Sequence, residues 1–322
     1  MDNNTILVLS DPTDRQLAML DRLPDSTSIA VGNNVEAFER LAPEAQVIFN
    51  WSGSRQLVQQ VWKVAPRVKW IHSRAAGLDG LLFPELVESK ALLTNGSGVF
   101  SQSLGEFVIA SALFFAKDFR RMMRNQAAGI WAPFDVEEVA GQTMGIVGYG
   151  DIGRACSRRA HAMGMKVLAL RRRPERSEGD GFVDRTYGFD RLLEMLPECD
   201  YAVAAAPLTP QTRHMIGDAA ISAMKKAAVV MNVGRGPVID EAALIRALET
   251  ARIRGAALDV FETEPLPAES PLYKLENVLL SPHCADHTAD WLEQAMRFFI
   301  DQFNRYAAGE PLLNVVDKKA GY

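Results

Sequence analysis

Between a short apolar run, Met144–Val147, and a stretch of helical periodicity, Ile152 to Met163, lies Gly148–Tyr149–Gly150–Asp151–Ile152–Gly153. No other feature constrains the fold as much, because each glycine has its own steric reason to be there. Gly148 permits the tight turn out of a strand, Gly150 lets the backbone approach a pyrophosphate, and Gly153 lets helix and strand pack closely. The unpaired amides at the helix N-terminus would face the anion. A plain turn could also use these glycines, but the strand before, the helix after and a second strand at Lys166–Leu170 supply the context that a dinucleotide loop requires. Tyr149, Asp151 and Ile152 join the three glycines as expected cofactor contacts.

The same strand–helix rhythm occurs twice in a chain of 322 residues, long enough for two domains. The first half reads as Ile6–Leu9, a helix near Thr13–Leu23, Val47–Phe49, a helix near Arg55–Val64, and Val68–His72. The second reads as six strands: Met144–Val147, Lys166–Leu170, Tyr201–Ala205, Val229–Val233, Gly255–Asp259 and Val278–Ser281. Ser103–Leu104–Gly105–Glu106 has capping-box spacing and predicts a helix from there to about Phe119, and Thr288–Ala307 is again helical in period. The expected architecture is α/β, with two doubly wound parallel-sheet domains. Residues 101–287 form the dinucleotide-binding domain, and residues 1–100 with 288–322 form the other.

Hydrophobic residues at 48% and charged residues at 23% describe an ordinary globular chain, and a net charge of −5 gives no general attraction to nucleic acid or an anionic membrane. The N-terminal run Ile6–Leu9 is too short for a signal peptide, and Phe107–Ala116 is too short for a membrane span. The 3 cysteines, Cys156, Cys199 and Cys284, suggest neither disulfides nor a zinc site, so a cytoplasmic location is expected. His283 and His287 have metal-ligand spacing, but Cys284 stands where a zinc protease needs glutamate and no third ligand is near, so no metal is expected. Trp51 and Trp70 are read as core.

About twenty residues past the first glycine, an NAD site carries an acid for the ribose hydroxyls. Here the position is Arg171, followed by Arg172 and Arg173, donors suited to a 2′-phosphate. NADP(H) is therefore the preferred cofactor, with NAD(H) as the second choice.

Three polar residues follow the last predicted strands: Arg235, Glu264 and His283. Ligands of open α/β sheets bind at the carboxyl ends of strands, which places all three on one side. Their chemistry fits reduction of a 2-keto acid. Imidazolium can protonate the oxygen as hydride reaches carbon, a carboxylate can orient the imidazole, and a guanidinium can hold the substrate carboxylate and polarise the carbonyl.

In these residues the chain resembles the D-isomer-specific 2-hydroxyacid dehydrogenase family. The likeness lies in Gly148–Gly153, in Asn232–Val233–Gly234–Arg235–Gly236, in Ala257–Leu258–Asp259–Val260–Phe261–Glu262 leading to Glu264–Pro265, and in Ser281–Pro282–His283. The resemblance implies a Rossmann-type cofactor domain, a flavodoxin-like substrate domain, a cleft between them, and a homodimer. It gives Arg235, Glu264 and His283 the substrate-binding, His-orienting and acid/base roles. It makes Asp259 the holder of the nicotinamide carboxamide, with Pro207, Thr212 and Val233 on the cofactor side. Ala76 and Gly77, in Arg74–Ala75–Ala76–Gly77–Leu78–Asp79, correspond to the loop whose amides hold the substrate carboxylate. Glu264 stands where formate-using members have glutamine, and the arginines at 171–173 are similar to those of glyoxylate/hydroxypyruvate reductases. The rival expectation is a nucleotide-sensing, corepressor-like binding protein of the same fold.

Overall fold

The computed structural model describes residues 4–177 and 179–322, which form two compact units, one of residues 4–100 with 289–322 and the other of residues 101–177 with 179–288. In chain order the strands are β1 (Thr5–Leu9), β2 (Ser28–Gly32), β3 (Val47–Asn50), β4 (Trp70–Ser73), β5 (Leu92–Asn95), β6 (Thr143–Val147), β7 (Lys166–Leu170), β8 (Arg185–Tyr187), β9 (Tyr201–Ala204), β10 (Val229–Asn232), β11 (Gly255–Leu258) and β12 (Val278–Leu280). The α-helices are α1 (Arg55–Val64), α2 (Pro84–Glu88), α3 (Ser101–Ala116), α4 (Phe119–Ala127), α5 (Asp151–Ala162), α6 (Leu192–Met195), α7 (Asp218–Ala223), α8 (Glu241–Glu249) and α9 (Trp291–Ala307). None of the described helices is long and apolar enough to cross a membrane.

The first unit holds a parallel five-stranded sheet, ordered β2-β1-β3-β4-β5. Its central strands β1, β3 and β4 are buried throughout because both faces are covered. Leu7, Leu9, Ile48 and Ile71 pack with Leu57, Val58 and Val61 of α1 on one face. The alternate residues Ile6, Val8, Val47, Phe49 and Trp70 pack with Met296, Phe299 and Phe303 of α9 on the other. The period of two in the strands thus divides one sheet between two cores. Phe49 stacks on Phe299 with centroids 3.7 Å apart.

The second unit holds a parallel seven-stranded sheet, ordered β12-β11-β10-β9-β6-β7-β8. The chain runs outward from β6 to β8 and then returns to β9 on the other side of β6, which makes the carboxyl end of β6 the switch point where such sheets bind ligands. One face is built on α3 and α5, with Leu104, Val108, Cys156 and Ala160 against Met144 and Ile146. The other packs Val147, Leu168 and Leu170 with Ala243, Leu244 and Leu248 of α8.

Several elements depart from the sequence reading. Among the described residues β2, β5 and β8 are additional strands, so the second sheet has 7 rather than six. The expected helix near Thr13–Leu23 is a 3₁₀ helix over Arg15–Arg22. Leu17 and Leu20 within it, and Leu23 just past its end, lie three apart, the period at which 3₁₀ side chains eclipse. The capping box at Ser103–Glu106 does not form, because α3 already begins at Ser101 and ends at Ala116. The Ser103 hydroxyl instead donates to Ala285 O at 2.6 Å, and Glu106 pairs with Arg159 at 3.0 Å. Asp118, at φ +50°, turns the chain and caps α4 by accepting from Arg121 N.

Candidate active site

The loop after β6 is built by steric exclusion. Gly148 has φ +98°, and a Cβ there would sit 2.5 Å from Ala206 N. A Cβ on Gly153 would meet Gly148 O at 2.5 Å, whereas one on Gly150 would find nothing within 4 Å. The two tight glycines close the turn and press α5 against β6, and the third leaves a gap at the N-terminus of a 12-residue helix. An open cradle at that end of a helix fits a pyrophosphate. Asp151 opens the helix and Ile152 is half-buried behind it. Tyr149 turns inward: its hydroxyl donates to Asp180 at 3.0 Å, lies 3.2 Å from Ser157 Oγ, and has its pKa pushed up to about 12 by burial.

Arg171 directly follows β7. It donates to Ser177 Oγ at 2.8 Å, and its guanidinium lies 5.8 Å from the Tyr149 ring centre. Burial, then the charge of Arg176, lowers its pKa from the usual arginine value. Arg172 and Arg173 are exposed beside it. A partly buried guanidinium with Arg173 and Arg176 nearby suits an anionic group.

On the far side of β6, the loop after β9 is closed by Thr212, whose hydroxyl donates to Pro207 O at 2.7 Å and accepts from Thr209 N at 2.8 Å. Thr212 is 5% exposed, and its hydroxyl is engaged in shaping this loop. Val233 is buried and donates its amide to Ala204 O.

Arg235 follows β10, in extended backbone. Asn232 secures this loop: its Oδ1 accepts from Gly234 N at 3.1 Å and its Nδ2 donates to Arg235 O at 3.0 Å. Arg235 Nη1 also bonds to Gly234 O at 2.8 Å. The loops after β10 and β11 touch at Gly236, where a Cβ would fall 1.8 Å from Phe261 O. Glu264 lies just beyond that contact. One of its oxygens accepts from Phe261 N at 2.9 Å and the other lies 2.6 Å from His283 Nδ1.

Asp259 holds the loop that carries His283. Three donors converge on its Oδ1: Ser281 Oγ at 2.6 Å, Cys284 N at 3.0 Å and Ala285 N at 3.0 Å. The His283 amide bonds to Asp259 O at 2.9 Å, and the residue is held at φ +52°. An ionised carboxylate only accepts, so with Glu264 on Nδ1 that nitrogen carries the proton and Nε2 is the position left for exchange. The His283 side chain is 45% exposed, which leaves Nε2 reachable. His287 turns toward Asp286 at 3.7 Å.

Asn232 and Ser281, which sequence reading placed in motifs without a role of their own, are positioning groups. The available signal was a polar residue at the buried end of an apolar strand, where an unpaired group is costly.

Ala76 and Gly77 lie on the loop after β4 in the first unit. That loop is fastened by Asn95 Nδ2, which donates to Ala76 O at 2.6 Å.

Residues 109–285 match the family model of the D-isomer specific 2-hydroxyacid dehydrogenase, NAD binding domain. A glyoxylate reductase of Korarchaeum cryptofilum is 33% identical over 270 residues, covering 81% of this chain and 79% of the relative. A glyoxylate/hydroxypyruvate reductase B of Yersinia pestis is 33% identical, with 89% of each chain covered. Among solved structures, a D-isomer specific 2-hydroxyacid dehydrogenase of Xanthobacter autotrophicus in complex with NADPH and MES superposes with a TM-score of 0.85 at 28% identity, covering 100% of both chains. The NADPH-dependent glyoxylate/hydroxypyruvate reductase of Sinorhizobium meliloti, in complex with NADP and sulfate, gives 0.83 at 26% identity, covering 99% of this chain and 100% of that one.

Proposed function

The chain belongs to the D-isomer specific 2-hydroxyacid dehydrogenase family, and from that premise we propose that it reduces a small 2-keto acid to the D-2-hydroxy acid with NADPH, His283 giving the proton. The observation that carries this is the 2.6 Å pairing of His283 Nδ1 with Glu264, which directs the exchangeable proton to Nε2. Glyoxylate or hydroxypyruvate is the substrate by analogy with the named relatives.

Gly148, Gly150 and Gly153, with the amides from Tyr149 to Ile152, hold the pyrophosphate in this reading. Arg171 and Arg172 take the 2′-phosphate, while Pro207 and Val233 border the nicotinamide. Asp259, which holds the 281–285 loop through Oδ1, binds the carboxamide through its other oxygen. When bound, the reduced nicotinamide supplies the hydride. Arg235 binds the substrate carboxylate and polarises the adjacent carbonyl, and the amides of Ala76 and Gly77 complete the grip. His283 protonates the nascent alkoxide from Nε2, and Glu264 keeps the ring in the required tautomer.

The test is NADPH oxidation against glyoxylate, hydroxypyruvate, pyruvate, phenylpyruvate and 2-ketogluconate. Turnover of glyoxylate or hydroxypyruvate is expected. Tight NADPH binding without turnover of any of them would favour a nucleotide-sensing, corepressor-like protein.

The chain also forms a homodimer in this reading. Helix α4 buries none of its residues, and the segment after it exposes Trp131 at 97%. Apolar surface of that kind usually marks an interface. A monomeric mass by light scattering at micromolar concentration would count against it. This reading includes a reducing, cytoplasmic location, in keeping with three free cysteines.

A further inference from the structure

The loop that carries Ala76 and Gly77 begins with Arg74, which has an unusual setting within the first unit. Its guanidinium carbon lies 4.9 Å from the Trp51 ring centre and 5.2 Å from that of Trp291. Neither indole is loosely placed. Trp51 is 2% exposed and donates its Nε1 proton to Asp14 at 3.0 Å, and Asp14 also accepts from Ser10 Oγ. Trp291 packs edge-on against Phe100. The backbone of Arg74 is held as well: its amide bonds to Asn50 O at 3.2 Å, and a Cβ on Gly96 would lie 2.2 Å from its carbonyl oxygen.

We propose that Arg74 is a specificity-determining residue that binds an oxygen on C3, or beyond, of the 2-keto acid, such as a hydroxyl or a distal carboxylate. The inference rests on the reductase reading above, which places the substrate carboxylate three residues away on this loop. Two indoles engage the guanidinium, and its N–H donors lie at the edge of the plane, the geometry that binds oxygen acceptors. Holding the cation in advance removes the rotamer entropy that a loose arginine would lose on binding. The carboxyl end of the sheet has a second feature of a ligand site. Asn50, the last residue of β3 and the acceptor of the Arg74 amide, is 1% exposed, and its Oδ1 has no hydrogen-bond partner among the described residues. A buried acceptor without a donor is rare enough to need a reason.

The experiment compares kcat/KM for hydroxypyruvate with that for pyruvate, which replaces the distal hydroxyl by hydrogen, in the wild type, Arg74→Leu and Arg74→Lys. The hydroxypyruvate-to-pyruvate ratio is expected to fall at least ~10-fold in Arg74→Leu. Arg74→Lys retains the charge and most of the stem, guards against a folding failure, and should give a ratio between the other two. A ratio within about twofold of the wild type in both variants would overturn the assignment, because a merely structural arginine affects both substrates alike. Absence of turnover by the wild type with any keto acid would instead sink the reductase reading, and this inference with it.

Discussion

Glu264 fixes His283 through one oxygen and is itself fixed through the other: Oε2 lies 2.6 Å from Nδ1, and Oε1 accepts from Phe261 N at 2.9 Å. The imidazole is thereby tied to the loop after β11, which meets the Arg235 loop at Gly236. An imidazole, the carboxylate beside it and the loop of a guanidinium are thus connected through backbone contacts and not through flexible side chains alone.

The first prediction follows from that connection. His283→Asn should lower kcat for keto-acid reduction by roughly 10²–10⁴-fold, the usual contribution of a general acid. Glu264→Gln should cost less, since an amide can still orient the ring. NADPH affinity, read by quenching of protein fluorescence, should stay within about threefold for both variants. A His283→Asn enzyme with near wild-type kcat would remove the acid from the mechanism.

Cofactor choice gives the second. Arg171→Asp places a carboxylate where the wild type holds a guanidinium between Ser177 and Tyr149. Repulsion of the 2′-phosphate should raise the NADPH dissociation constant by at least ~10-fold, while NADH gains an acceptor for its ribose hydroxyls. Titrations of both dinucleotides check the sign. Parallel changes for the two would mean that position 171 does not read the 2′ substituent.

Where periodicity and steric necessity act locally, sequence alone was sufficient. Lys166–Leu170 and Arg55–Val64 have the expected limits, since an apolar run between two turns, or a 3.6-residue repeat, admits few other structures. The pairing of Glu264 with His283 was anticipated from chemistry, and the described geometry brings those two together. Elements set by tertiary context were not legible. Strand β8 is three residues long with an arginine and a threonine, and it exists because β7 offers an edge. The start of α3 at Ser101 was obscured because Ser103 is used by Ala285, a partner 182 positions away. The inward turn of Thr212 was hidden for the same reason: a hydroxyl at that spacing suits either a ligand or its own loop.

The third prediction compares two glycines. Gly150→Ala adds a methyl where nothing lies within 4 Å, so the urea midpoint should barely change while NADPH binding weakens, because the backbone loses its close approach. Gly236→Ala forces a Cβ to 1.8 Å from a backbone carbonyl, which cannot be relieved by a rotamer change. That variant should lose ~3 kcal/mol or more of stability. Similar denaturation curves for the two would contradict the packing described at Gly236.

The fourth concerns the first unit and stability against pH. His72 is 1% exposed among Phe49, Trp70, Phe298 and Phe299, and burial pushes its pKa down from 6.5 to about 3. Thr94 explains how the neutral ring is held. Its hydroxyl accepts from Trp70 Nε1 at 2.8 Å and lies 2.7 Å from His72 Nδ1, where it can donate to the unprotonated nitrogen of a neutral ring. The folded pKa lies below the unfolded one, so the contribution is fully present above pH 6.5 and is lost as pH falls toward 3, where only the unfolded chain takes up the proton. Within that window stability should fall by roughly 1.4 kcal/mol per pH unit from this residue alone. His72→Gln keeps an acceptor for Thr94 but does not titrate. Urea unfolding at several pH values between 7 and 4 should show the gap between wild type and variant narrowing as pH drops. A gap constant with pH would mean that the folded protein accommodates imidazolium at this position.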